Sequence, residues 1–297
     1  MCERRLTLTA PEDCKVLTLL RKHLGLTASV VSRAKTQPDG ILLDGERVFT
    51  DAVARQGQSL SILLSDRENG DLVPKEGPVN IVYEDEDLLV LDKPAGLPVY
   101  PARNQGTDTL GNYLAEYYRK QGIPFVFRAV NRLDRGTSGL MVVAKHAHCH
   151  ECLKNQLHTG DFRRIYLAVL DGAPPEETGV IDAPIGRAAG TILGRAVSPD
   201  GDRAVTHYRV LSQKNGRSLV QLELETGRTH QIRVHTAHLG CPVTGDFLYG
   251  TEHPLLPGRT ALHSWELFLR QPLTAQPIHV ATPVPAVFTA ILSDTTA

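Results

Sequence analysis

The 297-residue sequence has no long hydrophobic run and no pattern of paired cysteines. No stretch approaches the roughly 18 apolar residues that a membrane-spanning helix requires, so we expect no membrane partner. The first residues, Met-Cys-Glu-Arg-Arg, lack the apolar segment of a secretory signal. The five cysteines are an odd number and are scattered along the chain. This usage is typical of a reduced protein, and we therefore expect a cytoplasmic location.

Several motifs of cofactor-dependent and hydrolytic enzymes are also absent. Neither a Walker-type phosphate loop nor Gly-x-Gly-x-x-Gly occurs, which argues against a nucleotide cofactor. Gly-x-Ser-x-Gly is missing too, and residues 136–139, Gly-Thr-Ser-Gly, do not have the spacing of a serine-hydrolase elbow. These absences argue against the most easily recognised nucleotide-dependent and serine-dependent classes.

A group of metal-ligating residue types lies between positions 146 and 158. Its members are His146, His148, Cys149, His150, Cys152 and His158. Structural zinc needs two separated ligand pairs, and no second Cys-x-x-Cys is present. The group also falls on a predicted amphipathic helix, where small apolar cysteines need only fill the inner face. We therefore expect no metal site here.

The formal net charge of −1 provides no overall attraction to nucleic acid. A local basic cleft can still bind nucleic acid without net charge, so the charge has to be considered segment by segment. Residues 1–66 contain nine Lys/Arg and eight Asp/Glu, a nearly neutral balance.

The pattern of apolar residues and turns predicts two domains. In residues 1–66, two short helices precede a hairpin at Asp44-Gly45 and a final strand at residues 60–64. Residues 67–77 are polar and contain Gly and Pro, as is typical of a linker. Residues 78–297 contain antiparallel strand patterns with helices inserted between them, and hairpin turns such as Asn215-Gly216. This arrangement predicts an α+β domain with a mixed, mainly antiparallel sheet.

The segment from residue 129 to residue 145 is the strongest candidate for a functional loop. It places the carboxylate of Asp134 between Arg132 and Arg135, ahead of a turn at residues 136–139 and an apolar, strand-like run at residues 140–144. A loop anchored to a core strand is a favourable place for a catalytic group, because the strand fixes its direction. The alternative is an Asp that caps its own turn and forms a surface ion pair.

Two further polar motifs lie beside predicted strands, at residues 163–166 and 227–235. Together with residues 132–140 they resemble the RluA-type pseudouridine synthases. Residues 132–140 match "Arg-Leu-Asp-x-x-Thr-Ser-Gly-Leu", residues 164–168 match "Arg-x-Tyr-x-Ala", and residues 227–235 match "Gly-Arg-Thr-His-Gln-Ile-Arg-x-His" in full. A "Lys-Pro-x-Gly" loop at residues 93–96 and "Gly-Asp-x-x-Tyr-Gly" at residues 245–250 are similar to further family motifs. The motif order also agrees, and the resemblance covers roughly residues 78–292.

The order of elements in residues 1–66 resembles an S4 RNA-binding domain, in a degenerate form because its charge is nearly balanced. The resemblance implies a pseudouridine synthase catalytic domain at residues 78–297, preceded by this small α+β S4-like domain. It implies an isomerase that turns uridines in RNA into pseudouridine. No atoms are gained or lost in that reaction, so no cofactor is expected. The S4-like unit favours ribosomal RNA over tRNA as the partner, and we expect a monomer.

The same resemblance implies roles for four residues. Asp134 would be the catalytic carboxylate, which either attacks or accepts a proton, and Arg228 would pair with it and keep it ionised. Tyr166 would lie against the uracil face; its alternative is a half-buried strand aromatic. Arg132 would fill the space left by a flipped-out nucleotide or hold a phosphate, or else pair with a nearby acid. Asn131 stands where the family most often has His, and we expect it to brace the Asp134 loop.

Two other classes remain open at this stage. One is a non-catalytic RNA-binding protein on the same fold, against which the intact Asp134, Tyr166 and Arg228 argue. The other is a metal-dependent hydrolase that uses Asp134. Such sites normally gather several carboxylates around the metal, whereas Asp134 has arginine neighbours in the sequence.

Overall fold

The computed structural model describes residues 3–66, 69–101, 108–191 and 193–294, so residues 67 and 68 of the predicted linker lie outside it. The strands are β1 (Arg5–Thr9), β2 (Cys14–Lys15), β3 (Ile41–Leu43), β4 (Glu46–Arg47), β5 (Val53–Ala54), β6 (Ser59–Leu63), β7 (Ile81–Glu84), β8 (Leu88–Lys93), β9 (Ser138–Ala144), β10 (Arg163–Asp171), β11 (Thr178–Asp182), β12 (Ile185–Arg187), β13 (Arg195–Val197), β14 (Val205–Lys214), β15 (Arg217–Leu224), β16 (Leu262–Arg270) and β17 (Pro277–Ala281). The helices are α1 (Val16–Thr18), continued by a π-helical turn (Leu19–His23), α2 (Ala28–Lys35), α3 (Leu110–Lys120), α4 (Ala147–Thr159), α5 (Gln231–His238) and α6 (Ala286–Ser293).

The N-terminal unit is a four-stranded sheet in the order β1-β6-β3-β4, covered by α1 and α2. Helix α2 is capped at its start, because the Thr27 side chain accepts a hydrogen bond from the Val30 backbone N–H. The predicted hairpin is also present. Asp44 and Gly45 both have positive φ, 48° and 86°, which a tight turn of this kind requires. Strand β1, which the sequence did not predict, pairs with β6.

The second domain contains a nine-stranded sheet. Its strands follow the order β11-β14-β15-β10-β16-β9-β8-β7, with β17 added beside β16. All of these pairs are antiparallel except β16 with β9, which is parallel. The predicted fold class, α+β with a mixed and mainly antiparallel sheet, is therefore confirmed.

The β9–β16 junction explains the last glycine of the Gly-Thr-Ser-Gly turn. Gly139 has a φ of 106°, and a Cβ atom there would lie 2.2 Å from the Ser264 carbonyl oxygen. Only glycine allows β16 to approach β9 this closely. The turn therefore fixes the start of β9, and with it the loop that carries Asp134.

The N-terminal unit contacts the second domain through ion pairs whose carboxylates are buried. Arg4 donates to both carboxylate oxygens of Asp87, at 2.6 and 3.0 Å, and Asp87 is almost fully buried. Arg128 binds Asp66 at 2.6 Å. The described part of the predicted linker, residues 69–77, has no helix or strand and runs along α3, where Val73 accepts a hydrogen bond from the Asn112 side chain. Within the described ranges no helix combines the length and the apolar character needed to cross a bilayer.

Candidate active site

Asp134 lies in the loop that leads into β9, and its partly exposed carboxylate faces the first turn of α5. Arg233 Nη1 donates to Asp134 Oδ2 at 3.1 Å. The buried Arg233 guanidinium also binds both oxygens of Asp246, at 2.6 and 2.8 Å. Burial alone would lower the pKa of Arg233, but the hydrogen bonds and charges of Asp246 and Asp134 raise it. Asp134 therefore has a permanently cationic partner.

The predicted pair between Arg228 and Asp134 is wrong. Arg228 Nη1 lies 3.5 Å from Asp202 Oδ2, and its Nε donates to the Arg203 carbonyl at 3.0 Å. Helix α5 begins after His230, whose φ of 58° is left-handed. Because the chain changes direction there, Arg228 lies on the exposed rim while Arg233 points inward from the helix.

Helix α5 begins without a side-chain cap. Its N-cap residue is His230, whose side chain makes no capping hydrogen bond. Instead the Gln231 side chain accepts from the Arg228 backbone N–H at 3.0 Å. This contact helps to fix the turn that separates the two arginines of the motif.

Lys93 joins two loops beside the Asp134 carboxylate. Its side chain is fully buried, and its Nζ donates to the carbonyls of Pro94 at 2.9 Å, Leu97 at 3.0 Å and Arg135 at 3.4 Å. Burial lowers the pKa of Lys93 to about 8, although the nearby negative charge of Asp134 opposes this shift. The Lys-Pro-x-Gly loop is thus tied to the backbone next to Asp134.

Asn131 connects the same loop to the sheet. The residue is buried, and its Oδ1 accepts a hydrogen bond from the Val142 backbone N–H in β9 at 2.8 Å. Its Nδ2 has no hydrogen-bond partner within the described chain. The contact with β9 is of the kind expected of a bracing residue three positions before Asp134.

Tyr166 and Arg132 line the same cavity as Asp134. Tyr166 extends from β10 and is 5% exposed, and burial raises the pKa of its phenol, which keeps the group neutral. Arg132 is exposed and forms no ion pair with the acids of the described chain. The alternative in which Arg132 pairs with a nearby acid is therefore not realised in this structure.

His230, for which the motifs implied no role, lies next to Asp134. Its Nε2 is 3.9 Å from Asp134 Oδ2, and its Nδ1 is 2.8 Å from Tyr249 Oη. Tyr249 Oη accepts a hydrogen bond from the Arg195 backbone N–H, so its own hydroxyl proton is free to point at Nδ1. Burial lowers the pKa of His230. The arrangement favours a neutral imidazole whose Nε2–H faces Asp134.

A cavity of about 670 Å³ joins these residues into one cleft. Its lining contains five cationic residues, namely Arg132, Lys154, Arg164, Arg228 and Arg233, and two carboxylates, Asp134 and Glu225. Glu225 is already bound by Arg203 at 2.9 Å and His207 at 2.8 Å. The cleft is therefore locally basic although the chain as a whole carries a formal charge of −1.

The His and Cys residues of α4 do not meet at a common point. His146 caps the helix, since its Nδ1 accepts from the Cys149 backbone N–H at 3.1 Å, and its Nε2 lies 2.9 Å from Asp87 Oδ1. His150 and His158 line the cleft instead. Within the described residues, no group of three or more His, Cys, Asp or Glu side chains is arranged to hold a metal ion.

Comparison with known proteins gives a consistent result. The family model described as RNA pseudouridylate synthase matches residues 87–238. The chain is 41% identical over 248 residues to the uncharacterized RNA pseudouridine synthase YhcT of Bacillus subtilis, which covers 83% of this chain and 82% of the relative. It is 40% identical over 259 residues to ribosomal large subunit pseudouridine synthase D of Xanthomonas campestris, with 82% and 77% covered.

A solved structure agrees with this assignment. Human RNA pseudouridylate synthase domain containing 1 superimposes with a TM-score of 0.57 at 28% identity, and the match covers 73% of this chain and 86% of that one. The motif-bearing strands and α5 all lie in the matched catalytic domain. The chain belongs to the RluA-type family of RNA pseudouridine synthases, and it is an isomerase that acts on RNA.

Proposed function

We propose that the enzyme isomerises specific uridines of ribosomal RNA and that Asp134 is its catalytic carboxylate. The observation that supports this proposal best is the Asp134–Arg233 pair, 3.1 Å long, in a basic cavity that Tyr166 also lines. A carboxylate held beside a buried guanidinium keeps its negative charge where the sugar of a bound uridine would lie.

The reaction breaks the N1–C1′ bond, turns the uracil, and forms a C5–C1′ bond. The proton lost from C5 is balanced by a proton gained at N1, so substrate and product contain the same atoms and no redox partner is needed. Asp134 acts either by attacking C1′ or by taking a proton from C2′. Both routes need an ionised carboxylate, which Arg233 supports.

The surrounding residues would bind and turn the nucleotide. A uridine in folded RNA has to be flipped out to reach Asp134, at a cost of a few kcal/mol. Tyr166, as a neutral phenol, would contact the uracil face near C5. Arg132, exposed and unpaired among the described residues, would occupy the vacated space or bind a phosphate. Arg228 would bind the RNA at the rim of the cleft.

Tritium release tests the role of Asp134. RNA that carries tritium at uracil C5 loses it only when C5 forms the new bond. Asp134→Asn should abolish release while leaving the fold and RNA binding largely intact. Asp51→Asn, which makes the same chemical change at an exposed position of the N-terminal unit, should release tritium at the wild-type rate. Turnover by Asp134→Asn would refute the assignment, and turnover that EDTA abolishes would point to a metal-dependent reaction.

The ribosomal target is supported by relatives named ribosomal large subunit pseudouridine synthase D, at 40% and 39% identity. Mapping pseudouridines in total RNA from cells with and without the gene tests it directly. We expect the lost sites to lie in ribosomal RNA. Loss confined to tRNA would overturn this part of the proposal and leave the role of Asp134 intact.

A further inference from the structure

Helix α4 has two faces with different surroundings. Cys149 and Leu153 are fully buried against β8 and β9. His150, Lys154 and His158 line the cleft. These three residues are four positions apart, so they lie on one face of the helix, about 6 Å from one to the next along its axis. We call them the α4 ridge.

Lys154 gives the ridge a positive charge that the described protein does not neutralise. Its side chain is exposed and has no ion-pair partner within the described residues, and His158 beside it is exposed as well. Glu151 lies on the same helix but does not line the cleft. Of the two carboxylates that do, Asp134 is bound by Arg233, and Glu225 by residues outside the ridge.

The ridge is also linked to the loop that carries Asp134. His150 Nε2 lies 3.3 Å from the Ala129 carbonyl oxygen, three residues before Arg132. Burial lowers the pKa of His150, so it acts as a neutral hydrogen-bond donor that holds this loop against the helix. Lys154 and Arg132 therefore line the same cleft from two elements that His150 joins.

We propose that the α4 ridge is a phosphate-binding site for the RNA strand that flanks the target uridine, with Lys154 as its main contact. The inference rests on the proposed function, because it assigns a second point of attachment to the same RNA. Phosphate contacts fix the register of a nucleic acid without reading its sequence, and a lysine on a rigid helix suits that purpose. The uridine would then enter the cavity beside Asp134 from a strand already held on the ridge.

A competing explanation is purely structural. The methylene stem of a lysine in the middle of a helix can stabilise the fold by packing on apolar surface. In that case Lys154→Gln would lower the stability of the protein but would leave the salt dependence of RNA binding unchanged. The two explanations therefore predict different measurements.

The test measures binding of a fluorescent twelve-nucleotide oligouridylate to the full chain at several salt concentrations. Each phosphate contact on a single strand contributes about 0.7 to the slope of log affinity against log salt. Lys154→Gln should reduce that slope by about this amount. The ratio of wild-type affinity to variant affinity should therefore fall about 2.5-fold between about 50 and 200 mM salt. Lys154→Arg, which keeps the charge, should retain the wild-type slope.

Lys214→Gln is the matched control, since Lys214 is an exposed lysine at the far end of the β14–β15 hairpin. It should leave both affinity and slope unchanged. An unaltered slope in Lys154→Gln, an equal effect of Lys214→Gln, or failure of the wild type to bind the oligouridylate would each overturn the proposal. The readout is binding and not turnover, so it does not depend on whether Asp134 is the catalytic carboxylate.

Discussion

The N-terminal unit and the catalytic cleft use their positive charge differently. Four arginines of the N-terminal unit are engaged in ion pairs: Arg4 with Asp87, Arg5 with Asp39, Arg33 with Asp66 and Arg55 with Asp13. Other cations there, such as Arg21 and Lys22, are exposed, but eight carboxylates balance the nine cations of the unit. In the cleft, Arg132 and Lys154 have no such partner within the described residues.

This difference indicates that, for RNA binding, the positions of the charges matter more than the net charge of the chain. A chain with a formal charge of −1 has a cleft lined by five cations and two carboxylates, and Asp202 and Asp246 outside the lining pair with two of the five cations. The field inside a concave site is strengthened by its low-dielectric walls, whereas paired charges on a convex surface largely cancel. We therefore expect the cleft to dominate RNA affinity. The following variants test that comparison.

We expect the largest loss of stability and activity from a change at Arg233, whose ion pair with Asp246 is buried. Arg233→Gln leaves Asp246 buried without its charge partner, which should lower the free energy of unfolding by about 3–5 kcal/mol. It also removes the cation beside Asp134, so we expect turnover to fall about 100-fold, equivalent to about 2.7 kcal/mol. Arg55→Gln, which breaks the exposed pair with Asp13, should change neither quantity. Urea denaturation measures the free energy of unfolding, and tritium release measures turnover. Equal losses of stability and turnover in Arg233→Gln and Arg55→Gln would contradict the expected difference between the two regions.

Acid should destabilise the catalytic domain more than the N-terminal unit. His263 in β16 is buried, its Nδ1 lies 2.8 Å from Ser138 Oγ, and burial together with the charge of Arg259 lowers its pKa to about 4. An unfolded histidine has a pKa of about 6.5. Between about pH 6.5 and 4 the unfolded chain binds a proton that the folded chain does not, so stability should fall by up to about 3 kcal/mol.

The variant His263→Gln should therefore lose less stability than wild type between pH 7 and pH 4.5, as measured by urea denaturation. The N-terminal unit contains a single histidine, His23, and it is exposed. His23→Gln should leave the wild-type pH dependence unchanged. A profile for His263→Gln that parallels wild type would show that other buried groups cause the acid response.

We expect the smallest effect, a change in RNA affinity, when cations of the cleft or of the N-terminal unit are replaced. Replacing both Arg132 and Arg228 with Gln should weaken oligouridylate binding about tenfold at about 0.1 M salt, because two potential phosphate contacts are lost. Replacing both Arg21 and Lys22 removes the same charge from the N-terminal unit, and we expect a change of less than about twofold. Fluorescence anisotropy measures both. A larger effect from the N-terminal pair would reverse the comparison and favour an RNA-binding role for the S4-like unit.

The fold class and the position of Asp134 could be predicted because both depend on local signals. The run at residues 140–144 is fully buried in β9, and Asp44-Gly45 forms the predicted hairpin of the N-terminal unit. Both could be predicted because hydrophobic patterning and turn residues act over a few positions. Strand β1 escaped prediction since its alternating, partly exposed side chains have no flanking turn signal as clear as these.

The partner of Asp134 could not be predicted in the same way. Arg228 and Arg233 lie in one motif, and the sequence does not distinguish them until the backbone is known to reverse at His230, a non-glycine residue with positive φ. Asp246, which orients Arg233, is a further thirteen residues along the chain. The role of the cleft-facing side of α4 could not be predicted for a related reason. Its His and Lys residues line the cleft only because other elements of the fold lie beside them.

The parallel junction between β9 and β16 has a consequence for how the enzyme is made. Ser138 and His263, which meet there, are 125 positions apart, and β16 lies between β9 and β10 in the sheet. Contacts of such high sequence separation form slowly. A nascent chain that ends before residue 262 contains Asp134, Tyr166 and Arg233, yet it lacks the central strand that joins the two halves of the sheet. A chain of that length therefore cannot complete the sheet on which Asp134, Tyr166 and Arg233 are placed, so assembly of the site depends on a strand that is translated after all three.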